Sequence, residues 1–159
     1  MFAMSIDGVL RQPSGAPIGA GNVLYRALTE VTNVALIADS QTEEQAKHWL
    51  LVNDMTAHNY LVLPRETDPE DGGAQRVLQL TRLAEHGPVD LLVEADPTKA
   101  EAVIREGIPV ALTVHPSYAR PEHLPGRKLV PTPWDALIGE VNRQRHIKAN
   151  DARLNHEAI

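Results

Sequence analysis

The acidic positions Asp7, Glu94 and Asp96 carry most of the chemistry available in this 159-residue chain. Asp7 follows the apolar run FAMSI and precedes Gly8, while Glu94 and Asp96 close the run VDLLV. Carboxylate oxygens suit a hard divalent cation, and Mg2+ is the usual choice where a phosphate completes the shell. Asp7, Glu94 and Asp96 are therefore candidate Mg2+ ligands, provided the fold brings the two run ends together. Ser5 and Gly8 flank the first acid, and Ala38, Asp39 and Ser40 form a third cluster where the run VALIA stops. The seven histidines are scattered without metal-ligand spacing, and the absence of cysteine removes disulfides, thiolate metal sites and cysteine nucleophiles.

The elements that must position these residues show as an alternation of two periods. Short runs rich in β-branched residues stand at 2–6 (FAMSI), 34–38 (VALIA), 60–63 (YLVL), 89–93 (VDLLV) and 109–114 (PVALTV). Such near-continuous apolar strands fit a parallel sheet covered on both faces. Helical segments at 21–32, 42–53, 74–86 and 97–106 separate them. The order predicts a three-layer, doubly wound, Rossmann-like α/β domain with a parallel five-stranded sheet. In that architecture ligands bind outside the carboxyl ends of the strands, where all three polar clusters fall.

Local punctuation supplies a second reading for some of these residues. Asp96 can cap the fourth helix, with Pro97 in its first turn and Gly107 as its stop. Ser40 can cap the second, with Glu43 at the capping-box position. Trp49, Leu50 and Val52 read as core or near-core, and the loop RETDPEDGG at 65–73 as a solvated connection.

Composition sets the outer bounds. A hydrophobic content of 43% over this length supports one core. The formal charge of -6 argues against a general nucleic-acid binder, which needs a basic surface. The start lacks a secretory pattern, and no run approaches the ~18 apolar residues of a membrane span. The expectation is a soluble cytoplasmic protein with no membrane partner.

With the motifs in place, the chain resembles the haloacid dehalogenase (HAD) superfamily of Mg2+-dependent phosphohydrolases. Where its first signature has an apolar strand ending D-x-D-G-[TV]-[LV], this chain has Ser5-Ile6-Asp7-Gly8-Val9-Leu10. GAPIGAGNVLYRAL is similar to the segment leading into the first helix of compact, capless members. VALIADSQTEEQAKHWLLVN resembles the second signature strand and its helix, and VDLLVEADPTKAEAVIREGIPVAL the fourth signature. The resemblance spans about residues 2–112. It implies that position 5 is that of the nucleophile, Asp7 that of the general acid and base, and Ser40 a substitute phosphate contact for the hydroxyl replaced by Ala38.

Departures from the pattern touch nearly every role. Ser5 stands where the attacking aspartate is expected, Glu94-Ala95 where Gly-Asp is expected, and Lys99 where a further acid often lies. No signature lysine precedes the fourth strand, the nearest cations being Arg76 and Arg82. A carboxylate nucleophile yields a labile acyl phosphate, whereas a serine would yield a stable ester, so Ser5 cannot simply take over the role.

Beyond the α/β domain, taken as 1–114, residues 115–159 read as an extended proline-rich arm and a helix. Thr132 caps that helix, and Trp134, Leu137, Ile138 and Val141 form its apolar stripe. This part resembles the tails of small proteins of actinobacterial tailed phages. It would serve a protein partner or a homo-oligomer, or else cover a sheet edge. The leading expectation is a degenerate HAD-like domain that keeps an Mg2+ or small-phosphate site and works as a binding or assembly protein. The alternatives are a Mg2+-dependent phosphohydrolase acting on a small phosphate ester and a structural phage protein. A phage-encoded protein would reside in the host cytoplasm or the virion.

Overall fold

The computed structural model describes residues 1–39, 42–113, 138 and 143. Contacts divide the chain into two units, Met1–Ala119 and Arg120–Ile159, and the elements below belong to the first. Strands β1 (Phe2–Ser5), β2 (Val34–Ile37), β3 (Tyr60–Val62), β4 (Leu91–Glu94) and β5 (Val110–Leu112) alternate with helices α1 (Gly19–Thr29), α2 (Glu43–Val52), α3 (Gly72–Ala84) and α4 (Pro97–Arg105). All strand pairs are parallel, in the order β3-β2-β1-β4-β5. The chain steps outward from β1 to β3, then returns to β1's other side. The switch point therefore lies between β1 and β4.

Strand periodicity sends alternate side chains to opposite faces. Met4, Val34, Leu36 and Val93 meet Tyr25 of α1 and Leu50 of α2, with Leu24, Leu28 and Trp49 packed against them. Ala3, Ala35, Ile37 and Leu92 meet Leu80 and Leu83 of α3 and Val103 of α4. This is the expected Rossmann-like α/β fold, with helices on both faces of a parallel sheet. The buried stripe of α3 also includes two polar residues, Arg76 and Gln79.

Between β1 and α1 the chain makes one tight turn and a hairpin. The amides of Leu10 and Arg11 both donate to the Ile6 carbonyl, and Gly8 sits at φ +83°, where glycine carries no Cβ penalty. Arg11 bridges to Asp7 on one side and to Pro17 on the other. Gly21 then lies directly beneath the turn, where a Cβ would stand 1.8 Å from the Val9 carbonyl oxygen. Trp49 fastens the hairpin to α2: its indole N–H donates to the Gly15 carbonyl at 2.7 Å, and its ring lies under the Arg11 guanidinium.

Several local expectations are corrected. The cap of α2 is Thr42, in a complete capping box with Gln45; Ser40 lies outside the described residues. Helix α1 starts and ends earlier than its apolar pattern suggested, and α3 starts at Gly72 because Asp71 accepts from the Gly73 and Ala74 amides. Val52 is 68% exposed. The loop after β3 is not wholly solvated: Asp68 is buried against Arg82, which donates to both its carboxylate oxygens at 2.6 and 2.9 Å. That guanidinium holds the Asp68 carboxyl down at about 2. Ile138 and Arg143 are helical; the rest of the expected arm and terminal helix lies outside the described residues.

Candidate functional site

Strand register dictates which polar side chains meet at the carboxyl edge. Ser5 follows Ala3 by two residues and Glu94 follows Leu92 by two, so both face α3 and α4. They end β1 and β4, the two strands that flank the switch point. The Ser5 hydroxyl donates to Glu94 Oε2 at 2.7 Å, and both residues are buried. The other oxygen, Oε1, accepts the backbone amides of Ala95 and Asp96 at 2.8 and 3.1 Å.

Helix α3 brings the first cation. Arg76 is 1% exposed, and its Nε faces Glu94 Oε2 at 2.9 Å as an ion pair without hydrogen-bond alignment. Its Nη1 donates to Gln79 Oε1 at 3.0 Å, and Gln79 in turn donates to the Ala38 carbonyl at the end of β2. Its Nη2 donates to Asp39 Oδ1 at 2.5 Å. Helix α4 brings the second cation, Lys99, whose Nζ donates to Asp39 Oδ2 at 2.6 Å. The result is a continuous chain, Ser5–Glu94–Arg76–Asp39–Lys99, in which two carboxylates offset two cations. Buried charge persists where it is paired in this way.

The sequence candidates distribute unevenly over this arrangement. Ser5 and Glu94 come together. Asp7 instead pairs with Arg11, which donates through Nε at 3.0 Å and through Nη2 to the same oxygen, Oδ1. The second oxygen of Asp7, Oδ2, is buried without a hydrogen-bond partner. Asp96 caps α4 by accepting the Thr98 amide at 2.9 Å, as its place before Pro97 suggested. Among the described residues no group of three His, Asp or Glu side chains is placed to hold a metal ion. The donor set points the same way. Both Glu94 oxygens are engaged by a hydroxyl, two amides and a guanidinium, and Asp39 bridges two cations. In this arrangement Glu94 and Asp39 do not fit Mg2+.

Arg76, Gln79 and Lys99 are the site residues that sequence reasoning did not place here. A usable signal existed for one of them, since Arg76 falls on the buried stripe of α3 at helical spacing from Leu80 and Leu83. The titratable groups shifted chiefly by burial lie elsewhere. Burial raises the Tyr25 phenol and lowers the His58 imidazole, and His58 precedes β3 at the opposite edge of the sheet. The described helices include none long and apolar enough to cross a membrane. The chain matches no family model, no curated protein and no solved structure.

Proposed function

We propose that the chain is a catalytically degenerate HAD-like protein that works by binding or assembly rather than by phosphoryl turnover. One observation carries the proposal. The position that resembles the nucleophile's is Ser5, whose hydroxyl is spent on Glu94, and Glu94 is itself neutralised by Arg76. No carboxylate stands there to form an acyl phosphate. A serine so placed would have to release its hydrogen bond to a buried anion before attacking, and the ester formed would resist hydrolysis. The sheet order, with Ser5 and Glu94 at the switch point, supports a ligand-binding edge on general grounds. A phage origin and assembly through residues 115–159 belong to the same proposal and rest on the sequence resemblance alone.

The test is hydrolysis of p-nitrophenyl phosphate by the full chain with and without Mg2+, beside Asp7→Asn, together with the mass of the chain in solution. The expected result is no Mg2+-dependent turnover. Turnover that requires Mg2+ and disappears in Asp7→Asn would overturn the proposal in favour of a phosphohydrolase. A mass above that of one chain would place self-association first among the assembly modes.

A further inference from the structure

We propose that Asp39 is a built-in anion, its carboxylate filling a site for a small oxyanion formed by Arg76 and Lys99 and holding that site closed. The inference rests on the reading of the carboxyl edge as a ligand-binding edge, and names the regulation of that same site.

Geometry and charge lead to it together. The two Asp39 oxygens each take one cation, Oδ1 from Arg76 at 2.5 Å and Oδ2 from Lys99 at 2.6 Å. Two oxygens of a phosphate or of a ligand carboxylate would be held in the same way. Arg76 is fixed independently of Asp39, whereas the Lys99 ammonium is held by Asp39 itself. Arg76 is anchored by Gln79 and Glu94, and the Lys99 stem runs past Gly72, where a Cβ would come within 3.1 Å of its Cε.

Exposure is graded in the order that displacement requires. The side chains of Arg76 and Lys99 are 1% and 12% exposed, whereas that of Asp39 is 25% exposed. The anion is thus the outermost member and can turn away toward water while its partners stay in place. With Asp39 seated, Glu94 and Asp39 balance Arg76 and Lys99, and a further anion gains nothing from the cluster. With Asp39 removed, one positive charge is left uncompensated at a site whose arginine is already held in place. In the native chain an external anion must compete with a tethered carboxylate, which acts at high effective concentration.

Thermal unfolding of the full chain tests this, comparing wild type with Asp39→Ala in sodium phosphate, sodium acetate and sodium chloride at matched ionic strength. Ligand that binds only the folded state raises the midpoint. The expected result is a rise of about 4 °C or more for Asp39→Ala in phosphate or acetate over chloride, little change in wild type, and loss of the rise when Lys99→Met is added. The phosphate and acetate arms separate a phosphoryl ligand from a carboxylate one. Equal rises in wild type and variant, or none in the variant with either anion, would overturn the proposal. Should Asp39→Ala fail to fold in chloride, recovery of folding in phosphate or acetate counts in favour. Asp39→Asn, which keeps the side chain's shape, is then scored by the same criterion, and its failure to respond overturns the proposal. Hydrolysis of p-nitrophenyl phosphate by the same samples reports separately on turnover, so an active enzyme with an anion-responsive variant would sink the non-hydrolytic reading and leave this one standing.

Discussion

Ser5 and Glu94, 89 residues apart in the chain, share a 2.7 Å hydrogen bond across the junction of β1 and β4, with Arg76 against the same carboxylate oxygen. The bond ties the two strands at the switch point and leaves no room for a second acid. Replacing Ser5 by aspartate, the change that would supply the carboxylate the proposed HAD-like site lacks, therefore places like charges in contact in a buried site. Ser5→Asp is expected to lose about 3–5 kcal/mol of stability, the range for an uncompensated buried charge, and to gain no phosphatase activity. Ser5→Ala, which only removes a donor to a charged acceptor, should lose about 1.5–3 kcal/mol. Urea unfolding of the two variants beside a p-nitrophenyl phosphate assay checks both parts; a stable, hydrolytic Ser5→Asp would contradict them.

Arg76 and Glu94 should behave as one unit. Arg76→Met removes the cation that Glu94 and Asp39 share and leaves Lys99 on Asp39 alone, and a loss of about 3–5 kcal/mol is expected. Glu94→Gln alone should also destabilise, since Arg76 then keeps only Asp39 as a counter-charge. The double variant should be less damaged than the sum of the two by about 1–3 kcal/mol. A double-mutant cycle read by chemical denaturation measures the coupling, and simple additivity would show that the pair contributes little.

Asp68 gives the acid limb of stability a defined origin. The Arg82 guanidinium depresses its carboxyl from 3.8 to about 2 in the folded state, so the unfolded chain binds the proton more readily. The stabilisation is fully present above the unfolded value and is lost as pH falls through the folded one. Between about pH 4 and pH 2, wild-type stability should fall more steeply than that of Asp68→Asn, which has no proton to take up. Unfolding midpoints in urea across that interval provide the comparison, with parallel curves as the contrary outcome.

Gly21 tests the turn after β1. A methyl group there meets the Val9 carbonyl at 1.8 Å, so Gly21→Ala must push α1 away from the turn, at a cost of about 3 kcal/mol. Gly19 begins the same helix with nothing within 4 Å of a Cβ. Gly19→Ala should be neutral or gain about 0.5 kcal/mol from reduced backbone entropy. Thermal melts of the pair separate crowding from helix propensity.

What was legible in the sequence was what is local or periodic. Five apolar runs gave five strands because parallel strands buried on both faces carry no polar alternation to blur them. Asp96 announced itself as a cap because cap, proline and stop stand within one short segment. The competing caps Ser40 and Thr42 both fit a capping-box spacing, and the pattern alone could not choose between them. The structure settles it, since Thr42 accepts the Gln45 amide and the Gln45 side chain accepts the Thr42 amide in return. The central site was only half legible. Ser5 and Glu94 sit at predictable strand ends, but the Asp39–Arg76 and Asp39–Lys99 contacts span 37 and 60 residues. Nothing in the order of residues reveals that an arginine on an amphipathic stripe will face a carboxylate rather than a leucine.

The closed chain of charges from Ser5 to Lys99 also constrains how this sequence can drift. A change at any one charged member unbalances the others, so the passable routes run through paired replacements, such as loss of Glu94 together with Arg76 or of Asp39 together with Lys99. Introducing an acid at position 5 is not one step from the present state but at least two, with a poorly folded intermediate between them. The network thereby acts as a ratchet, and sequences descended from this one should vary at positions 76 and 94, and at 39 and 99, in pairs or not at all.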